Sequence, residues 1–471
     1  LENGLNKYKR LLANTLLFAL SSFGSKILVY LIMPFVTGIL SPDDYAIATN
    51  IQDTCQLLLP LACIGISNAV IRFGLDSACS KRSVFTCGVV ALGIGAVLMA
   101  LLYPALQESA LDGYRWLVYL YIFVSCGRNL CSQFVRSRQY TRLYAADGIL
   151  NTLLLVVFYI LFLKPLQLGV TGYILATVAA DFCSMLFLIT IADLQRYLDF
   201  SRFDKKLFIS MVKYSLPLVP ASMCWWVTNA SDKKFVLYML GSNASGLYAF
   251  AYKIPNLLML VSTLFTEAWQ LSAIADSGSG KERSIFFSRV FRSYTGLLSV
   301  ASGGMILLCQ LFVRILDGSG GEFFNAWRYM PILIIATMYS CFSGYLSSIY
   351  MVTKKSNLNL VTSLIGAVLN LILNALLIRP FGVNGAAVAT LISYQVIFLL
   401  RAQSTEKLIL FRMYPSRIIL FTVMLLAETV LMLLEAPGWP YLCGGIVLLL
   451  ILFNLAALMT TVKRLLGNKR A

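Results

Sequence analysis

Apolar residues fill this chain in long unbroken runs, not in the alternation of a strand or the one-sided stripe of a soluble helix. A helix needs about 20 apolar residues to cross the hydrocarbon of a bilayer, and the chain offers about fourteen such stretches. They cover 11–38, 44–70, 83–105, 114–135, 142–163, 169–191, 207–239, 245–272, 290–316, 328–350, 358–378, 383–403, 416–434 and 440–462. The strands of a membrane barrel would alternate apolar and polar positions, and these runs do not. The expected fold class is therefore all-α integral membrane.

The runs repeat in order. Tyr45–Ile51 (YAIATNI) is echoed by Tyr248–Ile254 (YAFAYKI), and Gly169–Thr177 (GVTGYILAT) by Gly382–Thr390 (GVNGAAVAT). Lys164-Pro165 and Arg379-Pro380 precede the second pair, and Gly148–Asn151 is a weaker echo of Gly366–Asn370. Six spans belong to each copy. This predicts an N-lobe over 1–192, a cytoplasmic linker helix at 193–206, a C-lobe over 207–404, and two further helices with a cytoplasmic tail over 405–471. Two parallel lobes related by a pseudo-twofold along the membrane normal are an arrangement suited to alternating access.

Charge placement fits the same spans. With the N-terminus inside, most of the 38 Lys and Arg residues fall in inner segments, among them Arg72, Lys81, Arg82, Arg136, Arg138, Arg142, Arg196, Arg202, Lys205, Lys206, Arg401, Arg412 and Arg417. Outer loops hold Arg115, Lys164, Arg314, Arg328 and Arg379. That bias follows the positive-inside rule and puts both termini in the cytoplasm. It also accounts for the net charge of +17 as short loops facing anionic headgroups, so no nucleic-acid partner is expected. The first span is too long for a signal-peptide core, so no cleavable leader is expected, and the start at Leu1 points to a processed chain.

Composition removes several chemistries. There is no histidine, and the 11 cysteines form no CxxC pair and lie mostly within apolar spans, as small hydrophobes do. No phosphate-binding glycine loop occurs, so nucleotide-driven transport by this chain alone is not expected. Neither catalytic nor metal-binding residues are assigned. Pro34, Pro60, Pro217, Pro220 and Pro255 interrupt the first two spans of each lobe, where freed carbonyls would face protein or water.

Charges inside spans each cost about 2.5–3.5 kcal/mol on insertion scales, so they mark either a pairing or a function. Arg128, Asp181 and Glu428 stand alone on their spans, and pairing that fixes helix positions is one reading of them. The rest cluster. Asn50 and Asp53 share a helix face one turn apart, and the repeat sets Asn50 opposite Lys253 and Asp53 opposite Asn256. Glu267 returns to nearly the face of Lys253, Lys26 lies mid-span in the first helix, and the seventh span carries Trp225, Trp226, Asn229, Asp232 and Lys233. Lysines offer charge to phosphate, amides bind hydroxyls, and tryptophan stacks on sugars. The expected substrate-binding set is Lys26, Asn50, Trp226, Asn229, Lys233, Lys253 and Asn256. Asp53, Asp232 and Glu267 are the candidates for a coupling H⁺ or Na⁺, and no other cofactor is expected.

The run Tyr214–Ile254 (YSLPLVPASMCWWVTNASDKKFVLYMLGSNASGLYAFAYKI), above all Ser231-Asp232-Lys233, resembles the seventh and eighth helices of bacterial O-antigen and capsule repeat-unit flippases. Leu40–Ala48 (LSPDDYAIA) resembles the first outer loop of the same family, which lies within the multidrug/oligosaccharidyl-lipid/polysaccharide (MOP) exporter superfamily. The likeness extends over nearly the whole chain. It implies a MATE-like fold in the bacterial inner membrane and translocation of an undecaprenyl-pyrophosphate-linked oligosaccharide from inner to outer leaflet. It further implies a lipid-tail groove near 416–462. The expected partners are that lipid-linked oligosaccharide, membrane lipids, and the polymerase and glycosyltransferases of the same pathway, with the protein itself a monomer. The alternatives are a peptidoglycan-precursor (lipid II) flippase, richer in cavity arginine; an ion-coupled drug antiporter, richer in cavity carboxylates; and a membrane glycan polymerase or ligase. The last would need a large catalytic outer loop, whereas the longest here is about Leu316–Ala326, and it leaves the repeat unexplained.

Overall fold

The computed structural model describes residues 28–76, 79–101, 113–275, 280–352, 356–409 and 411–467. They form eighteen α-helices joined by short turns, with no strand among the described residues. The chain packs as two compact units, Leu1–Trp226 with Leu316–Gly320, and Val227–Ile315 with Gly321–Ala471.

The first unit begins with α1 (Met33–Thr37), α2 (Pro42–Ala62) and α3 (Ile66–Leu75). Ser41 caps α2 by accepting the Asp44 N–H at 3.2 Å, Pro42 fills the first turn, and Asp43 and Asp44 sit at the positive end of the helix dipole. Pro60 ends the regular ladder, and Gly65, at φ +62°, turns the chain so that α3 leaves α2 at 52°. One predicted span is thus a broken pair. α4 (Lys81–Leu101), α5 (Arg115–Ser137), α6 (Thr141–Leu163) and α7 (Gly169–Ile191) follow as single rods. At 1.5 Å per residue a 23-residue rod is about 34 Å long, enough for the hydrocarbon. The segment 193–206 forms two 3₁₀ turns, Leu194–Tyr197 and Phe200–Arg202, leading into α8 (Lys205–Ser215). The linker helix expected at 193–206 is therefore mostly 3₁₀, with Asp199 and Asp204 capping its short pieces.

The remaining helices are α9 (Leu218–Leu240), α10 (Ser242–Ala251), α11 (Lys253–Ala275), α12 (Gly280–Leu307), α13 (Cys309–Leu316), α14 (Met330–Val352), α15 (Ser356–Phe381), α16 (Val383–Glu406), α17 (Pro415–Leu433) and α18 (Trp439–Gly467). Gly241, at φ +95°, separates α9 from α10, and α12 and α13 meet at 65°. In the second unit α17 and α18 lie on α12, where glycines let backbones approach: a Cβ at Gly296 would sit 2.1 Å from Asn454 Oδ1.

Seven described helices are long and apolar enough to cross a membrane, or up to nine if each bent pair counts as one span. α5, α9 and α11 are as long but carry charged residues, which is what makes them chemically informative. The outward faces are apolar: Ile149, Leu153, Val157 and Ile160 on α6 and Leu364, Val368, Leu371 and Ile372 on α15 are exposed. A water-facing surface would not be built this way, and the fold is that of a multi-pass membrane protein.

Candidate functional site

Asp232 is fully buried in the second unit, and hydroxyls surround it. Its Oδ2 accepts from Tyr248 at 2.8 Å, Tyr252 at 2.5 Å and Thr390 at 3.1 Å, while Oδ1 accepts the Lys233 N–H at 3.1 Å. Local helix geometry supplies the donors: Tyr248 and Tyr252 are one turn apart on one face. Thr390 arrives on α16 because Gly382, at φ +59°, reverses the chain after α15, and Gly385 lets α16 lie against α15. A Cβ at Gly385 would be 2.1 Å from the Leu377 carbonyl oxygen.

The hydroxyl shell continues into an amide network. Thr390 Oγ1 accepts from Asn370 Nδ2 at 3.4 Å, and Asn370 Oδ1 accepts from Ser231 and Asn374, both at 3.0 Å. Asn374 is fully buried, and its Oδ1 has no donor among the described residues. A buried carboxylate, a threonine hydroxyl and two amides are thus joined in one hydrogen-bonded chain of hard oxygen groups, the kind of group that small cations and protons favour.

The first unit holds a different cluster. Arg128 on α5 reaches Asp147 Oδ2 on α6 at 3.0 Å, Asp181 Oδ1 on α7 at 3.3 Å and Ser184 Oγ at 2.9 Å. Asn151 donates to Asp181 Oδ1 at 2.9 Å, Ser125 donates to Asp181 Oδ2, and Ser184 donates to Asp147. The pairing reading of Arg128 and Asp181 holds, with Asp147 as a further member. Glu428 is different: it is fully buried and neither carboxylate oxygen has a hydrogen-bond partner among the described residues. Arg401, read from sequence as part of an inner loop, is instead buried in α16. It donates to Thr362 Oγ1 at 3.1 Å and to the Ser343 carbonyl and Ser363 Oγ, both at 2.9 Å.

The other residues singled out by sequence are dispersed. Asn50 is buried in α2 and donates to the Ala46 carbonyl at 2.8 Å. Asp53 is half-buried one turn on, and its carbonyl accepts the indole N–H of buried Trp226 at 2.7 Å. Lys233 is half-buried with its ammonium 5.6 Å from the Tyr252 ring centre. Lys253 is half-buried and Asn256 exposed on α11. Lys26 and the side chains of Asn229 and Glu267 lie outside the described residues. Sequence reasoning missed Tyr248, Tyr252, Asn370, Asn374, Thr390, Asp147 and Arg401. The i,i+4 spacing of Tyr248 with Tyr252 and Asn370 with Asn374 was the available signal.

A cavity lies where α16 gives way to α17. It encloses about 800 Å³ between Phe398, Leu399, Ile418 and Ile419, with Glu406 and Arg412 also on its wall.

A family model described as polysaccharide biosynthesis protein matches residues 11–270, more than half of the chain. The chain belongs to that family. Among curated proteins it is 21% identical over 258 residues to the uncharacterized membrane protein MJ1375 of Methanocaldococcus jannaschii, a match over 51% of this chain and 59% of that protein. The chain therefore spans only about three-fifths of the curated relative it matches. Among solved structures, the lipid II flippase MurJ in an inward closed conformation superposes with a TM-score of 0.71 at 14% identity, covering 95% of this chain and 99% of that one. An inward-facing multidrug resistance MATE family transporter of the MOP superfamily gives 0.65 at 14% identity, covering 82% and 95%. A MOP superfamily transporter from Pyrococcus furiosus gives 0.58 at 13%, covering 83% and 94%. This polysaccharide biosynthesis family member thus has the MATE-like MOP fold expected from its sequence.

Proposed function

We propose that this family member is a flippase that moves a lipid-linked oligosaccharide across the bacterial inner membrane by alternating access, coupled to a cation or proton at Asp232. The observation that carries the reading is the Asp232 nest: a fully buried carboxylate held by three hydroxyls and linked through Thr390 and Asn370 to buried Asn374, whose Oδ1 is unpaired among the described residues. An intramembrane carboxylate in such a setting has a functional role by default. Asp232, Thr390, Asn370 and Asn374 would hold the ion, whose charge would compensate the carboxylate. Substrate contact is assigned to Lys26, Asn50, Trp226, Asn229, Lys233, Lys253 and Asn256, with Asp53 and Glu267 as further ion candidates.

The cavity beside α17, with apolar walls and Arg412 and Glu406, supports a place for a lipid tail next to a polar group. Both termini are taken as cytoplasmic, from the positive-inside bias. No chemistry is assigned to the chain. The test is expression in bacteria lacking their own repeat-unit flippase. Surface polysaccharide should return with the wild-type chain and fail with Lys26→Ala or Lys253→Ala. Undiminished export in both of these and in the corresponding Gln variants would remove the cationic-site assignment. A lipid II flippase is the second reading, favoured by the near-complete superposition on MurJ, and rescue of a lipid II flippase deficiency would select it.

A further inference from the structure

The first unit contains an apolar cleft that the proposed translocation does not use. It encloses about 440 Å³, between Phe85, Val89, Ala96 and Met99 of α4, Phe123 and Gly127 of α5, Phe182 and Met185 of α7, and Leu194 and Leu198 beyond it. That is roughly three times the ~150 Å³ of a dry apolar cavity known to take up benzene. From Phe85 to Met99 it runs about 21 Å at 1.5 Å per residue, somewhat more than half of the ~30 Å hydrocarbon. Its rim is open on the apolar side, where Val97, Phe123, Phe182 and Leu198 are exposed.

The cleft is built into the backbone. α4 is pinned at Gly95, where a Cβ would meet the Ala62 carbonyl oxygen at 1.6 Å, and at Gly88, which faces Leu130 and Val70. Thr86 ties the start of α4 to the polar turns by accepting the Asp199 N–H at 3.0 Å. At the far end Tyr119 donates to the Met99 carbonyl at 3.2 Å and so holds the end of α4 to α5. With both ends of α4 fixed, the gap towards α5 and α7 cannot close by a rigid shift of the helix.

The two ends differ in charge. The Met99 end carries the Tyr119 hydroxyl, already bonded. The other end meets the turns at 193–202, where Arg196 pairs with Asp193 at 3.4 Å and Arg202 with Asp199 at 3.3 Å. The Asp199 carboxyl is held below the usual range chiefly by the Ser201 hydroxyl and N–H, with Arg202 and then Arg82, one turn before Phe85, adding smaller attractions. Arg138 stands over the Tyr197 ring at 5.3 Å, and Tyr197 packs edge-on against Phe134, which touches Phe85. Arg82, Arg138, Arg196 and Arg202 against Asp193, Asp199 and Asp204, whose carbonyl accepts from Cys87, leave the turns beside this end with an excess of positive charge. An apolar slot about one chain long with a basic mouth matches an amphiphile with one tail inside and an anionic head.

We propose that this cleft is a binding site for an acyl chain of an anionic phospholipid, with the phosphate held at the Arg82 and Arg138 end. The inference is independent of what the protein transports. A structural lipid here would fill the wedge that the glycine contacts hold open and would couple the 193–202 turns to bilayer composition.

The test uses the full chain in phosphatidylcholine vesicles containing phosphatidylglycerol with a photoreactive group on one acyl chain, with crosslinks mapped by mass spectrometry. Label should concentrate on 85–99, 119–130 and 182–198, in clear excess over the lipid-facing residues Leu364, Val368 and Ile372. Gly127→Leu and, separately, Ala96→Phe should each remove that excess. The same reagent built on phosphatidylcholine should label about fivefold less, a preference that Arg82→Gln with Arg138→Gln should erase. Label no denser than on α15 would overturn the proposal, as would unchanged label in a filling variant that stays monodisperse. Displacement by a polyprenyl phosphate but not by unlabelled phosphatidylglycerol would overturn the phospholipid assignment. If both filling variants fail to fold, the wild-type map and the headgroup comparison decide alone.

Discussion

The Thr390 hydroxyl donates to Asp232 Oδ2 at 3.1 Å, tying α16 to α9 inside the membrane-spanning part of the second unit. The same oxygen accepts two tyrosine hydroxyls, so the carboxylate is stabilised by neutral donors that can exchange for an ion or a proton. Asp232→Asn keeps the shape and removes the charge. Transport by that variant should lose its dependence on an imposed Na⁺ or H⁺ gradient, a change of about 5–150-fold for a coupling of ordinary size. Thr390→Val should weaken the dependence without abolishing it. Initial rates with and without the gradient are the measurement.

Arg128 should behave as a structural clamp. Its loss leaves Asp147 and Asp181 without a countercharge, held by Ser125, Asn151 and Ser184, and breaking a buried ion pair on one side costs about 3–5 kcal/mol. Arg128→Leu is expected to lower thermal stability in detergent sharply. Adding Asp181→Asn should recover part of the loss, because one uncompensated carboxylate is removed with it. Equal stability of the single and double variants would show that the two side chains are not coupled.

Arg401 makes its bonds with hydroxyls and a carbonyl, so its contribution is hydrogen bonding more than ion pairing. Arg401→Met should cost about 1–3 kcal/mol, the penalty for leaving buried partners unpaired. Arg401→Lys should recover little of it, since one ammonium cannot reproduce the three-way fork. Thermal unfolding of the purified protein, followed by tryptophan fluorescence, checks both.

Gly169 and Gly382 hold corresponding places in the repeated motif and both take a positive φ, +53° and +59°. Gly172 and Gly385 then press on the end of the preceding helix in each unit. Alanine at Gly169 or Gly382 should cost about 1–3 kcal/mol through backbone strain alone. Gly385→Ala should cost more, because its Cβ would collide with the Leu377 carbonyl instead of meeting open space. Ranking the three variants by melting temperature tests the order.

That motif was legible in the sequence because its cause is local: a glycine that only a turn requires, followed by one that only close helix packing requires. Span positions were legible for the same reason, since a long apolar run has few alternatives in lipid. The broken spans were less so. Pro60 marked a bend, but the positive φ of Gly65 is what completes it. Asp232 announced itself as a charge in an apolar run, whereas Asn370, Asn374 and Thr390 did not. Neutral amides and hydroxyls are common in membrane helices, and these meet Asp232 only through contacts distant along the chain. The echo of Asn151 in Asn370 was a clue: both enter the polar cluster of their own unit. Arg401 was misplaced because it sits near the end of an apolar run, where a basic residue ordinarily marks a loop. For Glu428 pairing was one reading, and its carboxylate oxygens have no hydrogen-bond partner among the described residues.

The most direct measurement is made on vesicles containing the purified protein and a lipid-linked oligosaccharide confined initially to one leaflet. A membrane-impermeant glycan-cleaving enzyme reports the fraction that has crossed. The account predicts crossing that is accelerated by a Na⁺ or proton gradient in the wild type and is indifferent to it in Asp232→Asn. Crossing no faster than in protein-free vesicles, or an Asp232→Asn variant that responds to the gradient as fully as the wild type, would contradict it.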